Sequence, residues 1–202
     1  MMLKKFQDAF ETAEKHLKEA ELFVKDMAGL SGDDLQGLLF PAVNELRYAG
    51  FHASKALTLD GDDQKEAYES AERHCRRACY DAIDVQIQYC LCECRRFQND
   101  YRLVLISEVI KDYQDDCLKL NRIKSEPRSE DRRQDWEKLL PVISELKEIH
   151  QKWFVGREEL NKILEEKRDA RWNQFFNNRC TLIAAISAAV SALCAVYVLF
   201  SK

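Results

Sequence analysis

The chain has 202 residues, of which 46% are hydrophobic and 33% are charged, a balance that suits one globular domain with appendages and excludes a disordered chain. Its formal net charge is −4, and basic and acidic residues are mixed along the sequence, so no basic stripe indicates binding to duplex nucleic acid or to anionic lipid. Only six glycines and three prolines are present, which favours long helices over a turn-rich β architecture. We therefore predict an all-α fold.

Apolar residues at helical spacing predict four helices before the last third of the chain. The predicted helices cover 3–29, 33–59, 62–97 and 101–123. Pro41 interrupts the second of these, so a kink or a short separate piece at 33–40 is expected. The polar run KSEPRSED, residues 124–131, contains a proline and predicts a surface loop before the final helical segment.

The final segment, residues 131–200, has only Pro141 and Gly156 as strong helix-stopping signals. Within it, residues 180–200 carry no charged side chain, and a helix of this length covers about 30 Å of hydrocarbon. We therefore predict a four- or five-helix bundle over 1–179 and one C-terminal transmembrane helix. The alternative is a buried hairpin helix of a soluble core, although such helices are usually shorter and carry a polar stripe.

The residues beside the predicted span indicate its orientation. Before it stand three arginines and an interfacial aromatic, namely Arg168, Arg171, Trp172 and Arg179. Only Ser201 and Lys202 follow it, so the tendency of positive charge to stay inside predicts a cytoplasmic bundle on the inner membrane, with the C-terminus outside. The start of the chain, MMLKKFQDAF, lacks the apolar core of a signal peptide, which also predicts a reducing cytoplasm.

The eight cysteines are expected to be free thiols rather than a disulfide framework or a metal site. On a helix, Cys90 and Cys94 share a face while Cys92 points away from it. No C-x2-C pair or nearby histidine completes a tetrahedral zinc set. We therefore interpret the cysteines as small packing residues and expect no metal and no other cofactor.

Arg47 and His52 lie five residues apart in the stretch NELRYAGFHASKAL. In a regular helix, two such side chains differ by about 140° around the axis, so they share a face only if the backbone is distorted. Gly50 lies between them and makes distortion or close packing less costly. The pair therefore predicts either a distorted helix or two separate surfaces.

The chemistry of this pair allows two interpretations. A guanidinium that binds phosphate and an imidazole that moves a proton from a ribose hydroxyl suit metal-free RNA cleavage, provided that two copies form a composite site. The alternative is structural: Arg47 pairs with Glu45 or Asn44, and His52 is satisfied inside the bundle.

The stretch ELRYAGFHASKAL, followed by an acidic turn and a long helix with AERHCRRACYDAIDVQI, resembles the HEPN superfamily of α-helical bundles, whose signature is R-x4–6-H. Arg47 and His52 occupy the two signature positions. Ribonuclease members usually carry a polar residue, often Asn, directly after the arginine, whereas this chain has Tyr48. The resemblance therefore implies a HEPN-like bundle whose ribonuclease motif is degenerate, and we do not expect an enzyme.

A HEPN-like bundle with one transmembrane helix is similar to the small membrane accessory proteins of type VI-B CRISPR systems, which act beside an RNA-guided ribonuclease and form pore-like assemblies. This resemblance implies a homo-oligomeric effector of antiviral defence that perturbs the inner membrane. Direct RNA binding is left open. The alternatives are a membrane-anchored HEPN ribonuclease and a tail-anchored helical scaffold without pore or catalysis.

Small residues form a stripe along the predicted span at spacings of four, three and four, namely Ala184, Ala188, Ser191 and Ala195. Such a stripe allows close helix contact in lipid, so we expect it to be a contact between subunits. One helix cannot enclose a pore, so a ring of subunits is required, with Ser187, Ser191 or Thr181 on its wetter face. The alternative is a helix that serves only as an anchor.

Overall fold

The computed structural model describes residues 2–28, 32–125 and 136–200, with their side chains except within 26–36 and 189–200. These residues form six helices: α1 (Met2–Ala28), α2 (Gly32–Ala56), α3 (Gly61–Asp100), α4 (Ile106–Val109), α5 (Tyr113–Ser125) and α6 (Trp136–Phe200). The prediction of an all-α fold is confirmed for the part of the chain that the structure describes.

Helix α3 lies at the centre and contacts α1, α2 and α6. Its first half packs small residues against α1 and α2, as Ala13, Ala49 and Ala78 show by their complete burial. Its second half packs larger side chains against α6, with Phe97 and Trp153 at the middle of the main core. Alanines therefore allow the helices to approach closely at one end of the bundle, and aromatic side chains fill the space between the helices at the other end.

The predicted helix over 101–123 is wrong. The chain instead turns at 101–105, forms the single turn of α4, and continues into α5. Tyr101, Val104 and Ile106 are all buried in the main core. In one continuous helix Ile106 would point about 140° away from Tyr101, so the helix must break for all three to reach the core.

Helix α2 runs without interruption through Pro41, so the separate piece expected at 33–40 is not present. A proline inside a helix leaves the carbonyl four residues earlier without its usual donor, which here is the carbonyl of Gly37. Both Pro41 and Gly37 are exposed, so water can reach that carbonyl. Hydration of this carbonyl therefore reduces the free-energy cost of the hydrogen bond that Pro41 cannot donate.

Helix α6 also continues through Gly156, where the sequence favoured a stop. A Cβ atom at this position would lie 3.1 Å from both Cγ1 and Cδ1 of Ile110. That separation is too short for comfortable packing, so the glycine lets α6 approach the segment after α4. Gly156 therefore serves packing rather than helix termination.

A buried carboxylate joins α5 to α6. Asp116 is 2% exposed, and its Oδ2 accepts a hydrogen bond from Trp153 Nε1 at 3.1 Å. Lys152 Nζ lies 2.9 Å from the same oxygen, which supplies an opposite charge. Hydrogen bonding to Asp116 is the main reason why the pKa of Lys152 is raised. A buried carboxylate needs such partners, so this contact fixes how α5 lies on α6.

The C-terminal part of α6 extends beyond the bundle. Every described side chain from 165 to 188 is exposed, including the large apolar residues Trp172, Phe175, Phe176, Leu182, Ile183 and Ile186. At 1.5 Å per residue, the helix from 165 to its end at Phe200 is about 54 Å long. Its contact with the bundle lies near its start, where Lys167 Nζ donates a hydrogen bond to the carbonyl of Leu103 at 3.4 Å.

Among those residues, no helix combines the length and the hydropathy that are required to cross a membrane. Of the predicted span, residues 180–200, the structure describes the side chains only as far as residue 188. The transmembrane helix therefore stays a prediction.

Candidate functional site

Helix α2 carries both residues of the R-x4-H motif, and it stays helical through Gly50. Of the two outcomes that the sequence allowed, a distorted helix or two separate surfaces, the structure has the second, with Arg47 and His52 on different sides of the helix. A Cβ atom at Gly50 would meet nothing within 4 Å. The glycine thus does not serve a close contact within the chain, and the surface beside it is open.

His52 meets α3 through a second histidine. The rings of His52 and His74 are stacked, with 5.2 Å between their centroids and 16° between their planes. With its Nδ1 protonated, His74 donates a hydrogen bond of 2.6 Å to Oε2 of Glu45. The ring of Tyr48 lies 5.4 Å from that of His74. These four residues, Glu45, Tyr48, His52 and His74, are named the histidine cluster.

The guanidinium of Arg47 is linked to this cluster through an aromatic ring. Its Cζ atom lies 5.1 Å from the centroid of the Tyr48 ring, within the range of a cation–π contact. Glu45 instead binds His74 and lies 3.9 Å from Nη1 of Arg77. Of the two partners that the structural alternative gave Arg47, Glu45 and Asn44, Glu45 is therefore engaged by other side chains.

His74 is the functional candidate that sequence reasoning missed. It lies 29 residues after Glu45, and only the pairing of α2 with α3 brings the two together. In the sequence, His74 lies in the run HCRRA on a predicted helix. This run does not have the residue spacing of a catalytic or metal-binding motif, so it does not mark His74 as functional. The hydrogen bond to Glu45 fixes the orientation of the His74 ring. Because the two rings are stacked, His74 in turn restricts the orientation of the His52 imidazole.

Burial and positive charge lower the pKa of His52. Desolvation is the largest cause, followed by the charges of His74, Lys55 and Arg73. His52 is therefore predominantly neutral at neutral pH, the state in which an imidazole can accept a proton.

We expect the pKa of His52 to lie below 6.5 when the proton on Cε1 is followed by NMR against pH. His74→Gln should raise this pKa because it removes one of the positive neighbours, whereas Lys65→Gln, at the start of α3, should leave it unchanged. Because the folded state binds the proton less readily than the unfolded chain, His52 lowers stability as the pH falls below 6.5. A pKa of 6.5 or higher would contradict the described environment.

The residues of the predicted membrane contact are only partly described. Ala184 and Ala188 are exposed on α6. The side chains of Ser191 and Ala195 lie outside the described residues. The role of this stripe in joining subunits therefore stays a prediction.

Of the described cysteines, four are buried in the core, Cys117 is half-buried, and Cys92 and Cys180 are exposed. Cys90 and Cys94 are buried while Cys92 is exposed, as the helical spacing predicted. Burial raises the pKa of Cys90 and of Cys94 to about 12, so both are thiols at neutral pH. The same holds for Cys75 and Cys79. Among the described ranges, no three His, Cys, Asp or Glu side chains are placed to hold a metal ion.

The described geometry thus provides an exposed arginine, a neutral imidazole and a carboxylate-bound histidine on two packed helices. The relation to the HEPN superfamily stays a prediction from the motif of Arg47 and His52. Comparisons of the chain with known protein families, with curated proteins and with solved structures found no match.

Proposed function

We propose that this protein is a membrane effector of antiviral defence, in which copies of a HEPN-like bundle assemble into a pore-like oligomer that perturbs the inner membrane. It acts beside an RNA-guided ribonuclease of the type VI-B CRISPR kind. The bundle lies in the cytoplasm, and residues 180–200 enter the membrane. The observation that supports this proposal is the continuity of α6.

Helix α6 belongs to the bundle and to the proposed membrane segment at once. Trp153 and Leu160 are fully or almost fully buried in the core, so this part of the helix is fixed to the bundle. The same helix continues without a break to Phe200. A movement of the bundles relative to one another would therefore be transmitted by α6 to the uncharged residues 180–200.

The exposed part of α6 also favours a lipid or a protein environment. Trp172, Phe175 and Phe176 are all exposed within one and a half turns, directly before the uncharged segment. A run of large apolar side chains is unfavourable in water and usually marks an interaction surface. Aromatic residues are enriched where a transmembrane helix meets the interface, which supports membrane attachment at this level.

Helix α2 offers a surface for contact between copies in the cytoplasm. Phe40 and Phe51 are 64% and 65% exposed, and Val43 and Arg47 lie between them. These positions are spaced by three, four and four residues, so they form one stripe on the helix. An exposed apolar stripe with an arginine at its middle is typical of a helix that packs against another protein surface.

The test of this function is a bulky substitution in the predicted contact. Ala188→Leu should dissociate the solubilised oligomer in light scattering and abolish dye leakage from cells that express the active system. A larger side chain prevents close approach of helices, which is the main source of their association in lipid. The matched control Val190→Leu changes a residue outside the predicted small-residue stripe and should change neither measurement.

Retention of both the assembly and the leakage in the Ala188→Leu protein would contradict this contact. Loss of leakage with the assembly intact would separate oligomerisation from membrane perturbation. Loss of the assembly with leakage unchanged would contradict the pore-like mechanism, because a single helix cannot enclose a pore.

The histidine cluster supports a second candidate, a membrane-anchored ribonuclease. His52 is a neutral imidazole beside cations, and two copies could bring Arg47 of one to His52 of the other. We expect little turnover of single-stranded RNA by the purified protein, because Tyr48 takes the place of the usual polar residue. Robust metal-independent cleavage that His52→Ala abolishes would make the ribonuclease the better account. A scaffold without pore or catalysis would show neither leakage nor cleavage.

A further inference from the structure

A notch of about 290 Å³ opens between α1 and α2 beside Gly50, and we name it the Gly50 notch. The residues that line it are Phe6, Gln7, Phe10, Glu11, Gly50 and Ala53. The rings of Phe6 and Phe10 form its aromatic wall, with 5.8 Å between their centroids. The notch is therefore apolar on α1 and has one exposed carboxylate, that of Glu11, at its edge.

Gly50 has no packing role within the described chain. A glycine in the interior of a helix is less favourable than an alanine, so it usually serves a close contact. Here a Cβ atom would meet nothing within 4 Å. A larger side chain at this position would instead extend into the notch that the glycine lines. The glycine therefore keeps the notch open for a group from outside the chain.

The residue that follows Gly50 is a large exposed aromatic. Phe51 is 65% exposed, and its described ring contact is with His52 at 5.6 Å. Arg47 and Lys55, both exposed, lie one turn before and one turn after Phe51 on the same side of α2. Phe51 is therefore an apolar projection between two cations, and an aromatic ring packs favourably against other aromatic rings such as those of the notch.

The charges of the two helices are complementary beside the notch. Residues 7–14 of α1 carry three carboxylates and no cation, whereas residues 47–55 of α2 carry two cations and no carboxylate. Among the described residues, neither Arg47 nor Glu11 belongs to an ion pair, and the guanidinium of Arg47 lies over the ring of Tyr48. A second copy of the chain thus offers opposite charge to both segments.

The heights of these residues along the bundle allow such a contact between copies. Ala13 lies in one buried cluster with Ala49, and Ala20 lies in another with Ala42, so α1 and α2 are antiparallel. Phe51, two residues after Ala49, is therefore level with Glu11 and with the notch.

A two-fold axis parallel to α2 keeps every residue at its own height and can turn α2 of each copy towards α1 of the other. Phe51 of one copy then faces the Gly50 notch of the other. Arg47 lies four residues, or about 6 Å, further along α2, so its long side chain can reach Glu11 of the other copy. The symmetry forms the same contact twice.

We propose that the Gly50 notch binds Phe51 of a second copy of this chain, with Arg47 and Lys55 of that copy on either side of Glu11. This assignment deepens the proposed function and rests on its claim that copies of the bundle assemble. It gives the exposed stripe of α2 a defined partner surface, namely the α1–α2 face of another copy.

Photochemical cross-linking in the full-length, solubilised protein tests the contact. Phe51 is replaced by p-benzoylphenylalanine, whose ketone bonds to a neighbouring C–H group on illumination. We expect covalent dimers in which the tryptic peptide 48–55 is joined to the tryptic peptide 6–15. Mixing isotope-labelled with unlabelled protein shows that the bond joins two copies. The same replacement at Phe154, which is 59% exposed on α6, is the control and should not yield this peptide pair.

Filling the notch should abolish this cross-link without unfolding the chain. Gly50→Leu places a side chain in the notch, and the open space around its Cβ predicts an unchanged far-UV circular dichroism spectrum. Gly37→Leu is the matched control, because Gly37 lies on the same helix, also has nothing within 4 Å of its Cβ, and does not line the notch. It should leave the yield of the cross-link unchanged.

Exchanging the charges tests the orientation of the contact. Arg47→Glu and Glu11→Arg should each lower the yield about tenfold, because each places like charges together twice in the symmetric dimer. The two substitutions combined should restore the yield. Arg95→Glu, at an exposed arginine of α3, should have no effect.

A bond formed only within one copy, or one that survives Gly50→Leu, would overturn the assignment. Loss of helicity in Gly50→Leu would do the same, because the chain itself would then need the glycine. The Ala188→Leu protein separates this contact from the proposed function. If Ala188→Leu abolishes leakage but residue 51 gives no cross-link between copies, the notch contact alone is contradicted. If the cross-link forms and Ala188→Leu leaves leakage unchanged, the membrane contact alone is contradicted.

Discussion

Replacing Trp153 by alanine is expected to lower the free energy of unfolding by roughly 4 kcal/mol, because Trp153 is the largest fully buried side chain that the structure describes. The side chain is 1% exposed, and its ring centroid lies 5.0 Å from those of both Phe97 and Tyr113. Its removal leaves a cavity where α3, α5 and α6 meet. It also removes the indole donor from the buried carboxylate of Asp116.

Thermal unfolding of the solubilised protein, followed by circular dichroism, should show this loss as a fall in Tm of roughly 10 °C. The neighbouring substitution Phe154→Ala is the matched control, because Phe154 is 59% exposed and lies outside the core. It should cost less than about 1 kcal/mol. Equal effects of the two substitutions would contradict the described packing of α6.

Ending the chain at Arg179 is expected to transfer the protein from washed membranes to the soluble fraction and to abolish leakage. This truncation removes the uncharged residues 180–200, the segment that we propose enters the membrane. The buried residues of α6 that belong to the main core end at Leu160, so the bundle keeps its packing. The measurement is immunoblotting of the two fractions.

A chain that ends at Phe200 is the control, because it lacks only Ser201 and Lys202. It should remain with the membranes. Recovery of the chain that ends at Arg179 in washed membranes would show that another surface holds the protein there. The exposed stripe of α2 would then be the first surface to alter.

Local periodicity was sufficient to predict the first three helices. Their predicted bounds, 3–29, 33–59 and 62–97, differ from α1, α2 and α3 by at most three residues at each end. Helical spacing of apolar residues is a property of neighbouring positions, so it can be recognised without knowing the tertiary contacts. The burial of Cys90 and Cys94 opposite Cys92 followed from the same spacing.

The region between α3 and α5 could not be predicted in this way. Its apolar residues at 101, 104, 106 and 110 match no single helical face, and their burial depends on how α6 packs. The close contact of Gly156 with Ile110 joins two segments that are 46 residues apart in the sequence. A glycine that permits such an approach cannot be distinguished locally from one that ends a helix.

The candidate site was predicted in part. Arg47 and His52 were identified from their own spacing, and the helix places them on different sides as regular geometry requires. The stacking of His74 on His52 and its bond to Glu45 required the packing of α2 against α3. Contacts between helices decide which histidines meet, and no spacing within one helix encodes them.

Alkaline carbonate extraction of membranes that contain the full-length protein tests the central claim most directly. This wash removes proteins held at the surface by charge and leaves those whose helices lie within the hydrocarbon. If α6 enters the membrane through residues 180–200, the protein stays in the pellet. Release of the full-length protein into the carbonate supernatant would contradict the membrane-embedded helix and, with it, the pore-like assembly.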